Sequence, residues 1–449
     1  MKKNELLTKD INTLIKQIAI PSSIGMFFNT MYNVVDTFYV GMISTVAITA
    51  LSYSFMVFFM ILSISFGLSS AITAHVGNSL GKHKHLLSKI FVSNGLSFIF
   101  IISSILCTLG FIFLPQIFSL MGAKDEALFL SLEYTNVILI GVVPMLLGLG
   151  ANAALIAKGD TKSYRNSLIV GFILNLLLDP LFIYGFAFIP SFGFAGVAYA
   201  TVFIQFITFF YILYKLYKTE LLAISKPKMF LPDMRIYKKL ATQAIPMSLN
   251  MFMMSLGTML IMYFVSLYGY KTVAAFGIGY RVEQIILLPM LGLNTAVSAI
   301  VANNYGAKNF DRISEVIHKA LRYGFIMSFI GVIILVLFGK NIIMLFDKDL
   351  EVVQTAYHYV IIESIIFFAF ITLFISNSVL QGIKQPFIIP YVSIYRQLIM
   401  PAILLFISVN YFDVSVEVLW IVLGLIIYSA AIWLYLYMKK KLENLQIKI

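Results

Sequence analysis

Charge is scarce in this chain, and sulfur chemistry is nearly absent from it. Asp, Glu, Lys and Arg make up 12% of its 449 residues, roughly half the share of a soluble domain. The single cysteine, Cys107, lies inside an apolar run, which excludes a disulfide framework and a thiolate metal site. No glycine-rich phosphate loop, zinc-binding helix motif or nucleophile triad occurs in it. The opening stretch, MKKNELLTKDINTLIKQ, is polar and amphipathic. It has no apolar segment leading to a small-residue cleavage site, so no cleavable signal peptide is expected. The segments between apolar runs are too short for a soluble catalytic domain. The chain therefore does not read as an enzyme, no cofactor is expected, and any chemistry belongs in or between helices.

Apolar residues are what it has, at 60% of the sequence. Uncharged runs such as 90–114 and 419–438 are long enough to cross a bilayer core of about 30 Å. Twelve spans fit, near 17–41, 46–76, 91–115, 131–156, 167–187, 194–214, 243–267, 273–301, 322–339, 353–381, 387–409 and 418–438. The net charge of +12 invites a nucleic-acid partner, but its distribution argues for topology instead. Lys124, Lys271, Lys340 and Lys348 fall on the outer side, and Arg281 and Arg396 lie within spans. The remaining 26 of the 32 Lys and Arg share a side with the termini. Such asymmetry predicts a multi-pass protein of the inner (plasma) membrane with both termini in the cytoplasm.

The sequence also repeats itself at an offset of 225 residues. Ala19-Ile20-Pro21 answers Ala244-Ile245-Pro246, and Val76-x-Asn78-x-x-Gly81 answers Val301-x-Asn303-x-x-Gly306. Tyr134 and Leu155 find Tyr359 and Leu380 in the same register. Two copies of one hydrophobic unit, head to tail, predict two similar helix bundles facing a cavity, a transporter architecture. The expected division is a first six-helix lobe over 1–214, a cytoplasmic linker over 215–242 and a second lobe over 243–449. The basic linker, with Pro227 and Pro232, predicts an amphipathic helix on the cytoplasmic surface.

Four acids lie well inside predicted spans: Asp36, Asp179, Glu283 and Glu363. A charge at the bilayer centre costs a few kcal/mol on insertion scales, so such groups pair, face a cavity or take up a proton. Asp36 shares a helical face with Asn33 and Asn29, while Asn175 with Asp179 and Thr201 with Gln205 are i,i+4 pairs. Asn136 and Asn152 add amides on the fourth span. These groups can assemble two carboxylates in a shell of oxygens. That shell suits Na⁺, and two close carboxylates in low dielectric also suit a shared proton. At the repeat offset Asp36 falls on Ile261, Asn175 on Met400 and Asp179 on Leu404. The acids therefore belong to the first half alone, which points away from a packing role. In the second half, Arg281, Glu283, Glu363 and Arg396 predict either an intramembrane ion-pair network or a direct part in coupling. Arg281 and Glu283 are two apart on a helix and cannot pair with each other.

Several stretches resemble the multidrug and toxic compound extrusion (MATE) family. They are Tyr32-Asn33-Val34-Val35-Asp36-Thr37-Phe38-Tyr39-Val40-Gly41, the paired loops beginning at Gly77 and Ala302, Lys158-Gly159-Asp160-Thr161-Lys162, Asn175-Leu176-Leu177-Leu178-Asp179-Pro180 and Gly196-Val197-Ala198-Tyr199-Ala200-Thr201. The resemblance implies an all-α membrane protein of twelve transmembrane helices in two pseudo-symmetric six-helix lobes around a central cavity. It implies export of amphipathic, often cationic, organic compounds against inward H⁺ or Na⁺. It further implies that Asp36, Asn175, Asp179 and Thr201 hold the coupling ion, as metal ligands if that ion is Na⁺. By the same resemblance Pro21 matches a proline where the first helix bends. The polar residues Asn29, Asn33, Asn152 and Gln205 are expected to line the substrate cavity. The loop Gln381-Gly382-Ile383-Lys384-Gln385-Pro386 is shorter than the family's usual glycine-rich loop.

The expected partners are small organic molecules, chiefly cations, and the lipid bilayer, with a monomer as the working unit. A lipid-linked oligosaccharide flippase is the nearest rival. Its cavity should be rich in Arg or Lys, and only Arg281 and Arg396 are intramembrane here. An intramembrane enzyme would need Asp-rich or His-Glu clusters near an interface, and a channel would not confine its acids to one half.

Overall fold

A computed structural model of the chain describes residues 4–186, 190–222, 227–412 and 414–447. Twelve long helices run through them: α1 (Ile11–Ile43), α2 (Thr45–Gly81), α3 (His85–Leu120), α4 (Asp125–Ala157), α5 (Lys162–Tyr184), α6 (Ala195–Lys218), α7 (Met234–Ser266), α8 (Tyr270–Ala307), α9 (Phe310–Ile343), α10 (Leu350–Gly382), α11 (Pro386–Phe412) and α12 (Val416–Glu443). A one-turn helix, Glu5–Thr8, precedes α1, and no strand occurs among the described residues. Each expected span falls on one helix. The fifth was placed to end at 187, which lies outside the described residues. Eleven of the helices are long and apolar enough to cross a membrane. The exception is α1, 33 residues long, whose apolar residues are diluted by Asn29, Thr30, Asn33, Asp36 and Thr37.

By internal contacts the chain divides into two compact units. One is Ile24–Ile245; the other is Met1–Ser23 together with Pro246–Ile449. In the first, α4 is the central helix and packs against α2, α3 and α6. Its buried face, including Leu139, Leu146, Ala151 and Ala154, meets Ile72, Val92 and Ile212. In the second, α10 holds the equivalent place against α8, α9 and α12, with Phe367 and Trp420 fully buried. The repeat offset carries Asp125–Ala157 onto Leu350–Gly382, so the same segment of each half supplies the hub.

The contact boundaries fall inside α1 and α7, whereas the sequence division was drawn at 214 and 243. The reason is a stripe of apolar residues on the first turns of these two helices. Ile11, Ile15, Ile18 and Ala19 enter the core built from residues after 246. Ile236, Leu240 and Ala244 enter the core of Ile24–Ile245, while Lys238 and Lys239 stay exposed. The amphipathic helix expected near the linker is thus the start of α7, continuous with a long apolar helix.

Inside a bilayer, lipid tails compete on equal terms with apolar side chains, so tight helix pairing depends on small residues. Gly196, at the start of α6, lies against the last turn of α5. A Cβ there would stand 2.6 Å from the backbone carbon and oxygen of Phe182. The turn between these helices is tied to the same place, with Phe192 N–H donating to Phe182 O at 2.9 Å and Ser191 Oγ to Ile183 O at 2.6 Å.

Candidate functional site

The end of α5 is built around a proline. Pro180 has no N–H to give the Leu176 carbonyl, and the hydroxyl of Tyr39 on α1 donates to that carbonyl instead, at 3.2 Å. This contact brings α1 against α5 beside two acids. Asn175 Nδ2 donates to Asp36 Oδ1 at 2.8 Å and to Asp179 Oδ1 at 2.9 Å. Both amide hydrogens of one side chain are therefore spent on two carboxyl groups of different helices. Asp36, Asn175 and Asp179 are buried to within 2% of full exclusion, and Thr201 is buried on α6. Asn175 Oδ1 and Asp179 Oδ2 are buried without a hydrogen-bond partner. An orphaned buried acceptor is expensive, and here two of them lie one helical turn apart on α5, beside the Asp36 carboxyl.

The sequence brought Asp36, Asn175, Asp179 and Thr201 forward, and the structure gathers all four. Two tyrosines around them were not singled out. Tyr32, one turn before Asp36, donates its hydroxyl to Thr201 Oγ1 at 3.0 Å. Tyr134 of α4 lies close enough to both carboxyls to sense their charge and stacks on Phe194 at 5.2 Å. The signal was present in the repeat, where Tyr134 and Tyr359 mark the same register.

Asn29 and Asn33 take a different place. Both are exposed, and Asn33 Nδ2 donates back to Asn29 O at 3.0 Å, so neither joins the buried cluster. Asn152 is buried on α4 with Oδ1 unpartnered. Gln205, one turn beyond Thr201, directs Nε2 to Met145 Sδ at 3.5 Å. Pro21 is buried within α1, which runs through it unbroken, and the contact units part just after it, between Ser23 and Ile24. His75 is stacked on Phe91 at 4.6 Å with Nε2 on Lys239 O at 3.2 Å, a packing arrangement.

In the other unit, Tyr359 donates to Glu283 Oε2 at 2.7 Å. Gly279, one turn before Glu283, makes this possible: its missing Cβ would stand 2.3 Å from Tyr359 Cδ1, so only glycine leaves room for the ring against α8. Glu363 lies near Glu283, and its Oε2 is buried without a partner. Among the described residues, no ion pair joins these acids to Arg281 or Arg396. The expected charge network does not form. Arg281 is exposed on the side of α8 turned away from Glu283, and Arg396 lies apart on α11. No group of three or more His, Cys, Asp or Glu able to hold a metal occurs among the described residues.

Twelve long helices with acids buried between them define a multi-pass membrane protein whose reactive groups lie within its helices. The MatE family model matches residues 21–181 and 246–407, and the chain belongs to that family. The family places it among transporters. Among its relatives are the FAD transporter of Shewanella oneidensis, 28% identical over 80% of each chain, and the probable multidrug resistance protein NorM of Thermotoga maritima, 24% identical over 98% of this chain and 96% of that one. The fold is shared with a solved MOP superfamily transporter from Pyrococcus furiosus, described as having a binding pocket of reversed polarity, at a TM-score of 0.91, 24% identity and 99% coverage of both chains. A multidrug resistance MATE family transporter solved in an outward-facing conformation matches at a TM-score of 0.89, 25% identity and 99% coverage of both.

Proposed function

We propose that this protein exports amphipathic organic compounds, cations among them, by antiport against H⁺ or Na⁺, with Asp36, Asn175, Asp179 and Thr201 holding the coupling ion. The observation that carries the reading is the pair of unpartnered buried oxygens, Asn175 Oδ1 and Asp179 Oδ2, beside two carboxyls bridged by one amide. The names of relatives, multidrug export protein MepA of Staphylococcus aureus among them, support the cargo class.

In this account two pseudo-symmetric lobes alternate access to a cavity between them, with both termini in the cytoplasm. Asn29, Asn33, Asn152 and Gln205 contact cargo. Without an ion, two carboxyls sharing one amide repel each other and attract a cationic compound. A proton or Na⁺ arriving from outside satisfies the orphaned oxygens and removes that attraction. Tyr32 and Tyr39 link the α1 segment around Asp36 to α6 and α5, so a change of charge there alters how that segment is held. Pro21 gives α1 a place to bend, because proline leaves a helical carbonyl without its donor. A charge moving through 100 mV gains about 2.3 kcal/mol, and antiport requires only that ion and cargo prefer different states by an amount of that order. The protein works as a monomer.

Asn175→Ala tests the site directly. It removes the bridging donor and one orphaned oxygen together, so the thermal stabilisation given by lowered pH or added Na⁺ should fall to that of a control salt. Melting of the purified protein across pH and Na⁺ concentration reads this out. An unchanged ion-dependent shift would remove Asn175 from the site.

A further inference from the structure

Among the described residues, Arg396 is the one Lys or Arg buried in an apolar helix, and nothing balances its charge. It is 7% exposed, and the structure gives it no hydrogen bond and no carboxylate within ion-pair distance. The orphaned side-chain atoms sealed from solvent include Glu363 Oε2 and Asn377 Oδ1 but no guanidinium nitrogen of Arg396. The small accessible part of the residue therefore holds its nitrogens.

The backbone that carries it is locally widened. Residues Tyr395–Ile399 form a π-helical turn, closed by Met400 N–H donating to Tyr395 O. Pro401 explains it: a proline cannot donate to the carbonyl four residues back, Gln397, and its ring collides with that carbonyl in a regular α-helix. Such turns recur at functional sites. Here the turn is gripped on two sides. Ser393 Oγ meets Asn250 Oδ1 of α7, and the Gln397 side chain lies over Gly257 of α7. On the other side Tyr395 reaches Ser429 Oγ at 3.1 Å and packs edge-on against Trp433 at 5.4 Å, both on α12. Of the polar residues of this turn, Arg396 is the one that is both charged and buried, and it has no hydrogen-bond partner among the described residues.

The repeat adds a second observation. At the 225 offset, Gly171, Asn175 and Asp179 of α5 fall on Arg396, Met400 and Leu404 of α11. Where the first half carries an acid and an amide, the second carries a cation and apolar side chains. Packing alone did not call for a guanidinium there, since the equivalent helix manages with glycine.

We propose that Arg396 is an oxyanion-binding residue of the unit formed by Pro246–Ile449, taking a carboxylate or phosphate group of the transported compound. A guanidinium presents a fixed fork of donors that matches those groups in bidentate fashion, and a desolvated, pre-positioned one loses little freedom on binding. The inference rests on the transport reading and adds to its cargo amphipathic compounds that carry an oxyanion.

FMN and riboflavin differ by one phosphate and are both fluorescent, so they form the test pair. Binding to the full-length protein in phosphatidylcholine nanodiscs should be about tenfold or more tighter for FMN. Arg396→Gln should bring the two affinities together by weakening FMN alone, and Arg396→Lys should keep part of the preference. Melting temperature in the same discs guards against a folding defect. Equal affinities in the wild type, no FMN binding, or a preference that survives Arg396→Gln would each overturn the assignment. In discs containing phosphatidylglycerol, displacement of FMN would show a lipid headgroup on Arg396 and overturn the cargo claim. Ion coupling is read separately in proteoliposomes. An FMN preference that persists where no ion is exchanged would sink the antiport and leave Arg396 in place.

Discussion

Asp36→Asn should reduce efflux to the level of empty vesicles while the protein accumulates and melts as the wild type does. The substitution is close to isosteric, and the new amide oxygen can still accept the Asn175 Nδ2–H that Asp36 Oδ1 accepts at 2.8 Å. Helix contacts are preserved. What disappears is the ability to carry a charge in one state and lose it in the other, which is what coupling requires. The matching change in the other unit is the control. Glu283→Gln keeps an oxygen for the Tyr359 hydroxyl, and no arginine is left unpaired, because none pairs with Glu283 among the described residues. It should retain most transport and lose little stability. Efflux per folded molecule for the two variants decides the matter: a silent, stable Glu283→Gln beside an active Asp36→Asn moves the coupling site to the other unit.

Gly196→Val should produce the largest loss of folded protein of any single change near the site. The first atom of any side chain there would stand 2.6 Å from the Phe182 carbon and oxygen. Those are backbone atoms at the end of α5 and cannot turn aside as a side chain could. Overpacking typically costs about 1–3 kcal/mol, and valine, branched at Cβ, belongs at the upper end or beyond, with alanine lower. Fluorescence-detected gel filtration and melting in detergent measure it. A Gly196→Val protein that folds in wild-type amounts would mean that α6 can part from α5 without harm.

The twelve helices were legible because each apolar run had to be long enough for the bilayer, and the repeat was legible because its register never slipped between Ala19 and Leu155. Asp36, Asn175 and Asp179 stood out for a related reason, since acids in a membrane need a purpose. The contact division inside α1 and α7 was not legible. Ile11 and Ile236 announce that they will be buried without announcing in which bundle. Charge was misleading in the second half, where two arginines and two acids inside predicted spans suggested a network, yet no ion pair joins Arg281 or Arg396 to Glu283 or Glu363 among the described residues. Tyr32 and Tyr134 were hidden because tyrosine in a membrane helix usually needs no explanation, and only the hydroxyl contact with Thr201 gives Tyr32 one.

The central claim is that cargo and ion exchange through the Asp36–Asn175–Asp179 cluster, and counterflow tests it most directly. Proteoliposomes carrying an ethidium gradient and no ion gradient are followed with pH-sensitive and Na⁺-sensitive dyes. The account predicts that ethidium leaving one side drives H⁺ or Na⁺ the opposite way in the wild type, and that Asp36→Asn abolishes this flux. Ethidium crossing with no opposing ion, or an opposing flux undiminished in Asp36→Asn, would contradict it.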